Sequence, residues 1–181
     1  MVLNAKLLRN LSDEEAKILR KERRHNPAYI ILEDVLDTYN IGGFFRLADA
    51  IAAEKIYLCG TSALPPNHRI VKASVGAYKL VDWEHCETAI EAIAKLKVKQ
   101  VKVIAVEQNK NSKDYRKISK ALPMAFLFGH ESNGVKAETL KLVDAICEVP
   151  MYGFNKSLNV MVAAGIVLYE FISQFPARPE A

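Results

Sequence analysis

The sequence has no Gly-x-Gly: its eight glycines stand at 42, 43, 60, 76, 129, 134, 153 and 165. Both the dinucleotide fingerprint and the P-loop need closely spaced glycines, so neither of those nucleotide sites is encoded. Cysteine is scarce too. Cys59, Cys86 and Cys147 are far apart, odd in number and in no Cys-x-x-Cys pair, which signals neither a disulfide framework nor a thiolate metal site. His25, His68 and His85 have no metal-ligand spacing with His130, and no metal is expected. The longest run without a polar residue, Val160 to Tyr169, falls far short of the roughly 18 residues that span a bilayer, so no membrane segment is expected. Residues 1–10 spread charge through the segment without a hydrophobic block, and a cytoplasmic protein is expected.

What is present suits one ordinary globular domain. Of 181 residues, half are hydrophobic and a quarter charged, and 25 Lys and Arg against 21 Asp and Glu leave +4. That surplus permits an anionic partner without demanding one. Short β-rich runs recur at Tyr29–Leu32, Lys55–Cys59, Val101–Val106, Ala125–Phe128 and Ala145–Val149, with a weaker one at Tyr78–Trp83, mostly separated by helical periodicity. The alternation predicts an α/β fold: a mostly parallel sheet of five or six strands covered by helices on both faces.

Residues 1–27 read as a charged N-terminal helix that starts with the capping box Ser12-Asp-Glu-Glu15 and ends near Pro27. Its cluster of Arg20, Lys21, Arg23, Arg24 and His25 suits RNA phosphates or simply a solvated face. Residues 176–181 read as a frayed tail. Between Leu158 and Phe171 only Asn159, Gly165 and Glu170 interrupt small and apolar residues, so this helix must be buried all round, by local helices or by a second subunit.

Three segments carry the polar residues a site needs. In the first, Asn40 takes the N-cap of a helix. At about 100° per residue, Gly43, Arg46, Ala50 and Ala53 then share one lane. Small neighbours let another backbone approach, so Arg46 either meets a phosphate or oxyanion at a chain junction or is a plain exposed arginine. The second segment is an apolar strand running into Gly129-His-Glu131-Ser-Asn133-Gly134, at the kind of strand end where α/β proteins bind ligands. Here Glu131 is a site carboxylate or a solvated one, and His130 suits a turn better than a base. In the third, Ser157 and Asn159 open the last helix, where Ser157 serves as a cap and Asn159, among apolar residues, needs a partner.

Taken in order and at these separations, Asn40-x5-Arg46, Gly129-x-Glu131-x-x-Gly134 and Pro150-Met151 followed by Ser157-Leu-Asn159 closely resemble the three motifs of the SpoU (TrmH-type) RNA 2′-O-ribose methyltransferases. Lys72-Ala-Ser-Val-Gly76-Ala and Val106-Glu107-Gln108 extend the resemblance over residues 28–174. His130 after the glycine and Met161 after Ser-Leu-Asn depart from the commoner pattern, and neither removes a catalytic group.

The resemblance implies a methyltransferase domain over 28–175 whose C-terminal stretch forms a deep trefoil knot, within a homodimer that binds S-adenosylmethionine. Without it an ordinary unknotted sheet is expected. Carried over by position, the donor lies against Val106, Glu107, Leu127, Phe128, Gly129, Val149, Met151 and Leu158. Arg46 is the principal catalytic residue, facing the other subunit's donor pocket, with Asn40, Glu131, Ser157 and Asn159 organising ribose, phosphate and arginine. The family account makes Arg46 a base. A guanidinium is normally charged and accepts no proton, so stabilising a developing alkoxide is the role its chemistry favours. The RNA is expected to be tRNA, at guanosine 18, with rRNA the alternative. Two other classes stand beside this: a catalytically silent RNA-binding knot protein, and a small-molecule enzyme unrelated to RNA.

Overall fold

The computed structural model of the protein describes residues 4–173. Seven strands, all parallel, form one sheet: β1 (Asn26–Glu33), β2 (Ala53–Cys59), β3 (Trp83–Cys86), β4 (Lys102–Val106), β5 (Lys113–Asp114), β6 (Met124–Phe128) and β7 (Ala145–Glu148). Their order across the sheet is β3-β2-β1-β6-β4-β7-β5. The helices are α1 (Ala5–Asn10), α2 (Asp13–Glu22), α3 (Thr38–Ala50), α4 (His68–Ser74), α5 (Ala89–Val98), α6 (Ala137–Leu140) and α7 (Val160–Ile172).

The strands are apolar on both faces because both faces are covered. Ile30, Leu32, Phe126 and Phe128 pack with Phe44 and Phe45 of α3 and with Val167, Leu168 and Phe171 of α7. Tyr29, Ile31, Ala125 and Leu127 pack on the opposite side with Ala89, Ala92, Ile93 and Leu96 of α5. The expected α/β architecture is therefore present, with seven strands rather than five or six. The surplus includes β5, whose two residues are too few for any periodicity to register. The weak strand expected at 78–83 is displaced. Gly76, at φ +90°, turns the chain into a 3-10 turn at Ala77–Lys79, and the strand begins at Trp83.

At the N-terminus the capping box forms as expected. Glu15 N–H donates to Ser12 Oγ at 3.2 Å and Ser12 N–H to Glu15 Oε2 at 2.8 Å. The helix stops at Glu22, well before Pro27, and α1 precedes it. Three of the five residues of the basic cluster are already engaged: Arg20 pairs with Asp82 at 2.8 Å, Arg23 with Asp49 at 2.6 Å, and the His25 ring lies 3.1 Å from the Ala53 carbonyl.

At the other end β7 lies between β4 and β5, which follow each other in the chain, and α7 then packs on α3, β4 and β6. That helix is not buried all round. Ala164, Val167, Leu168 and Phe171 are enclosed, while Val162 and Tyr169 are each more than half exposed, at 51% and 54%. Among the described residues no helix is long and apolar enough to cross a membrane, and no group of three or more His, Cys, Asp or Glu is placed to hold a metal ion. The tail expected at 176–181 lies outside the described residues.

Candidate functional site

Because the strands are parallel, their carboxyl ends share one edge, and a cavity of about 450 Å³ opens there beyond β4, β6 and β7. Its wall takes Val106–Gln108 from the end of β4, Phe128–Gly134 from the end of β6, Glu148 and Val149 from β7, and Lys156–Val160 with Ala163 from the start of α7. Of the residues singled out in the sequence, Val106, Glu107, Phe128, Gly129, Glu131, Val149, Ser157, Leu158 and Asn159 are in this wall. Leu127 is not, being wholly buried on the α5 side of the sheet. Met151, Asn40 and Arg46 are also outside it. Sequence reasoning missed Glu148 and Lys156, which directly flank residues it named.

The second motif folds as it does because its glycines admit no alternative. His130 and Gly134 pair as a short antiparallel bridge, with Gly134 N–H donating to the His130 carbonyl at 2.8 Å. A Cβ on Gly129 would sit 2.3 Å from the Gly134 carbonyl carbon. Gly134 has φ +67°, and a Cβ there would lie 2.3 Å from Glu107 Oε2, so both positions need glycine. Glu107 Oε2 accepts the Val135 N–H at 2.9 Å and ties the turn to the end of β4. His130 is a turn residue, as its context suggested: Nδ1 accepts from the Ser132 N–H at 3.0 Å.

The turn presents Glu131 to the start of α3. Oε1 accepts from the Asp37 N–H at 3.1 Å and from Asn40 Nδ2 at 3.0 Å, and Oε2 from the Leu36 N–H at 3.2 Å. Desolvation raises the carboxyl's pKa, but the Asn40 hydrogen bond and the backbone N–H groups outweigh it and hold the group below its ordinary value. Asn40 is therefore not the helix cap. Asp37 caps α3, accepting from the Tyr39 N–H at 2.8 Å, and Asn40, 7% exposed, lies inside the first turn. Its Oδ1 accepts from Asn159 Nδ2 at 3.2 Å. Asn159 in turn caps α7, accepting from the Met161 N–H at 2.8 Å. The partner that Asn159 needed is thus Asn40, and one hydrogen-bonded chain, Glu131 to Asn40 to Asn159, joins the three motifs.

Arg46 is exposed on α3, and among the described residues it makes no hydrogen bond or ion pair. The small-residue lane around it is shorter than expected, since α3 ends at Ala50 and Ala53 already belongs to β2. Gly43 in that lane admits Met161 of α7, which a Cβ there would meet at 3.1 Å. The cavity wall includes Glu107, Glu131 and Glu148 against one lysine, Lys156, a balance that favours a ligand of net positive charge.

The chain is similar to known proteins over most of its length. The profile of the SpoU rRNA methylase family matches residues 27–169. The tRNA (guanosine(18)-2′-O)-methyltransferase of Escherichia coli is 30% identical over 151 residues, covering 82% of this chain and 64% of that protein. The enzyme of the same name from Thermus thermophilus is 31% identical over 148 residues, covering 82% and 75%. Among solved structures, the AdoMet-bound rRNA methyltransferase from Sinorhizobium meliloti superposes with a TM-score of 0.78 at 29% identity, covering 88% of this chain and 61% of that one. The chain thus spans somewhat under two thirds of the length of the E. coli and S. meliloti proteins.

Proposed function

The chain belongs to the SpoU rRNA methylase family, and from that membership we propose that it is an RNA 2′-O-ribose methyltransferase that uses S-adenosylmethionine. The observation that carries the proposal is the hydrogen-bonded chain Glu131–Asn40–Asn159, which draws three distant motifs together beside a ligand-sized cavity. The cavity fits the donor: about 450 Å³ is within the range of small-molecule sites, and its three carboxylates against one ammonium suit a sulfonium. When bound, the donor supplies an electrophilic methyl group on that sulfonium. Val106, Phe128, Val149 and Leu158 provide apolar wall, and Gly129 and Gly134 keep the turn clear of side chains.

The reaction is an in-line displacement by a ribose 2′-oxygen, so the protein must align that oxygen and hold the negative charge left as its proton departs. Arg46 is the group for that charge, as a permanent cation with a planar fork of donors. Asn40, Glu131, Ser157 and Asn159 organise the ribose, the phosphate and Arg46 around it. The exposure of Arg46 and its place outside its own chain's cavity support a homodimer in which it serves the cavity of the other copy. The bare Val162 and Tyr169 of α7 support the same assembly, which would cover them. The insertion of β7 between β4 and β5 supports the knot that the resemblance implies. We place the protein in the cytoplasm with tRNA as its substrate, guanosine 18 favoured after the E. coli and T. thermophilus relatives. Ribosomal RNA is the alternative, after the S. meliloti enzyme.

Transfer of labelled methyl from S-adenosylmethionine to unmodified tRNA and rRNA, assayed separately, tests the proposal. Label in tRNA is expected, and Arg46→Ala is expected to cut it by about a hundredfold or more. Label in rRNA alone keeps the chemistry and moves the target. No label in either RNA despite donor binding overturns the reading in favour of a silent RNA-binding protein.

A further inference from the structure

Two loops border the cavity on the β4 and β7 side: residues 107–123, between β4 and β6, and residues 149–159, between β7 and α7. The first carries Lys110, Lys113, Arg116, Lys117 and Lys120 against Glu107 and Asp114. Arg116 pairs with Asp114 and Lys120 with Glu170. Lys110 and Lys117 are exposed, and among the described residues neither is held in an ion pair; Lys113 instead lines a second cavity with Leu140 and Val143. The second loop holds two uncovered aromatic rings, Tyr152 at 88% and Phe154 at 110% exposure. The loops are stitched together. Gln108 Nε2 donates to the Lys156 carbonyl at 2.8 Å, Ser112 Oγ donates to Glu148 Oε2 at 2.7 Å, and Arg116 Nη2 stands 3.5 Å from the Tyr152 hydroxyl. Free cations and bare rings therefore share one rim, next to the cavity.

An apolar protein partner would cover the rings but would strand the lysines. A nucleic acid duplex would satisfy the lysines but has no free base face to offer the rings. A single strand offers both, phosphates for the ammonium groups and unpaired bases for the aromatic planes. We propose that this rim binds a single-stranded RNA segment, with an unpaired base stacked on Phe154 or Tyr152 and the adjoining phosphates against Lys110 and Lys117. The proposal rests on RNA being the substrate, as argued above, and adds that the target nucleotide arrives outside a helix, its lost base stacking replaced by a protein ring.

The test is fluorescence anisotropy of a labelled, non-self-complementary RNA oligonucleotide, alone and annealed to its complement, titrated with the full chain at several salt concentrations. The single strand is expected to bind about tenfold or more tightly than the duplex. Tyr152→Ala with Phe154→Ala is expected to weaken single-strand binding about tenfold or more, with Phe154→Trp retaining it. That double variant leaves the salt dependence, donor binding and oligomeric state unchanged. Lys110→Ala and Lys117→Ala combined lower the slope of log affinity against log salt by about 1. Equal affinity for strand and duplex overturns the proposal. So does an aromatic double variant that binds like the wild type, or one that loses RNA only by changing oligomeric state. Methyl transfer is scored separately: if it is absent while the single-strand preference survives, the methyltransferase reading fails and this surface stands.

Discussion

Replacing Glu131 by glutamine keeps the side chain's shape but removes its charge and one acceptor, so it isolates what the carboxylate does for the start of α3. Two N–H groups converge on Oε1 and one on Oε2. The glutamine oxygen can occupy only one of these positions. Placed at Oε1 it keeps Asp37 and Asn40, and its NH2 then faces the Leu36 N–H, donor against donor. Hydrogen bonds to charged groups contribute roughly 1.5–3 kcal/mol and neutral ones about 1 kcal/mol. Because Glu131 is open to solvent, the low end applies, and the expected loss is about 1–2 kcal/mol. In a chain of this size that lowers Tm by about 3–6 °C. The pH dependence fixes the cause. The folded carboxyl titrates below its ordinary 4.5, so its stabilisation is complete above that value and is lost as pH falls through the folded pKa. Urea unfolding of wild type and Glu131→Gln should therefore show the full gap at pH 7 and a closing gap below about pH 4.5. Equal stability at pH 7, or a gap undiminished in acid, would refute this account of the carboxylate.

Two further substitutions probe the same frame. Gly129→Ala drives a methyl group into the Gly134 backbone, which cannot yield as a flexible side chain would; a loss of about 1–3 kcal/mol is expected in thermal melts, together with weaker S-adenosylmethionine binding by calorimetry. Asn159→Ala removes the cap of α7 and the bond to Asn40, so about 1–2 kcal/mol is expected. Combined with Asn40→Ala in a double-mutant cycle, it should show a coupling of at least about 0.5 kcal/mol; strictly additive losses would mean that the two amides do not act together.

The strands that pair most fully were legible because both faces of the sheet are covered, which makes Tyr29–Leu32 and Ala125–Phe128 continuous apolar runs. Short elements were not. β5 exists only because two residues find β7, a tertiary event with no local signature. Asn40 shows a subtler limit. Asp37 and Asn40 are both good capping residues three positions apart, and local chemistry does not choose between them. The choice is made by Glu131, 91 residues further on, whose carboxylate engages the Asn40 side chain while Asp37 takes the cap.

The same reasoning separates the two halves of the site. Polar residues at the ends of apolar strands were readable as a binding edge, because parallel topology gathers carboxyl ends whatever the loops between them do. Arg46 belongs to no strand end. It sits past the first turn of α3, outside the cavity wall, while Asn40 near the start of the same helix is bonded to the wall residues Glu131 and Asn159. One rigid helix therefore carries one residue fastened to the cavity of its own chain and another that does not reach it. In the proposed homodimer the arginine serves the cavity of the other copy. The same proposal gives the exposed Val162 and Tyr169 of α7, a helix that packs directly against α3, as the surface that the second copy covers.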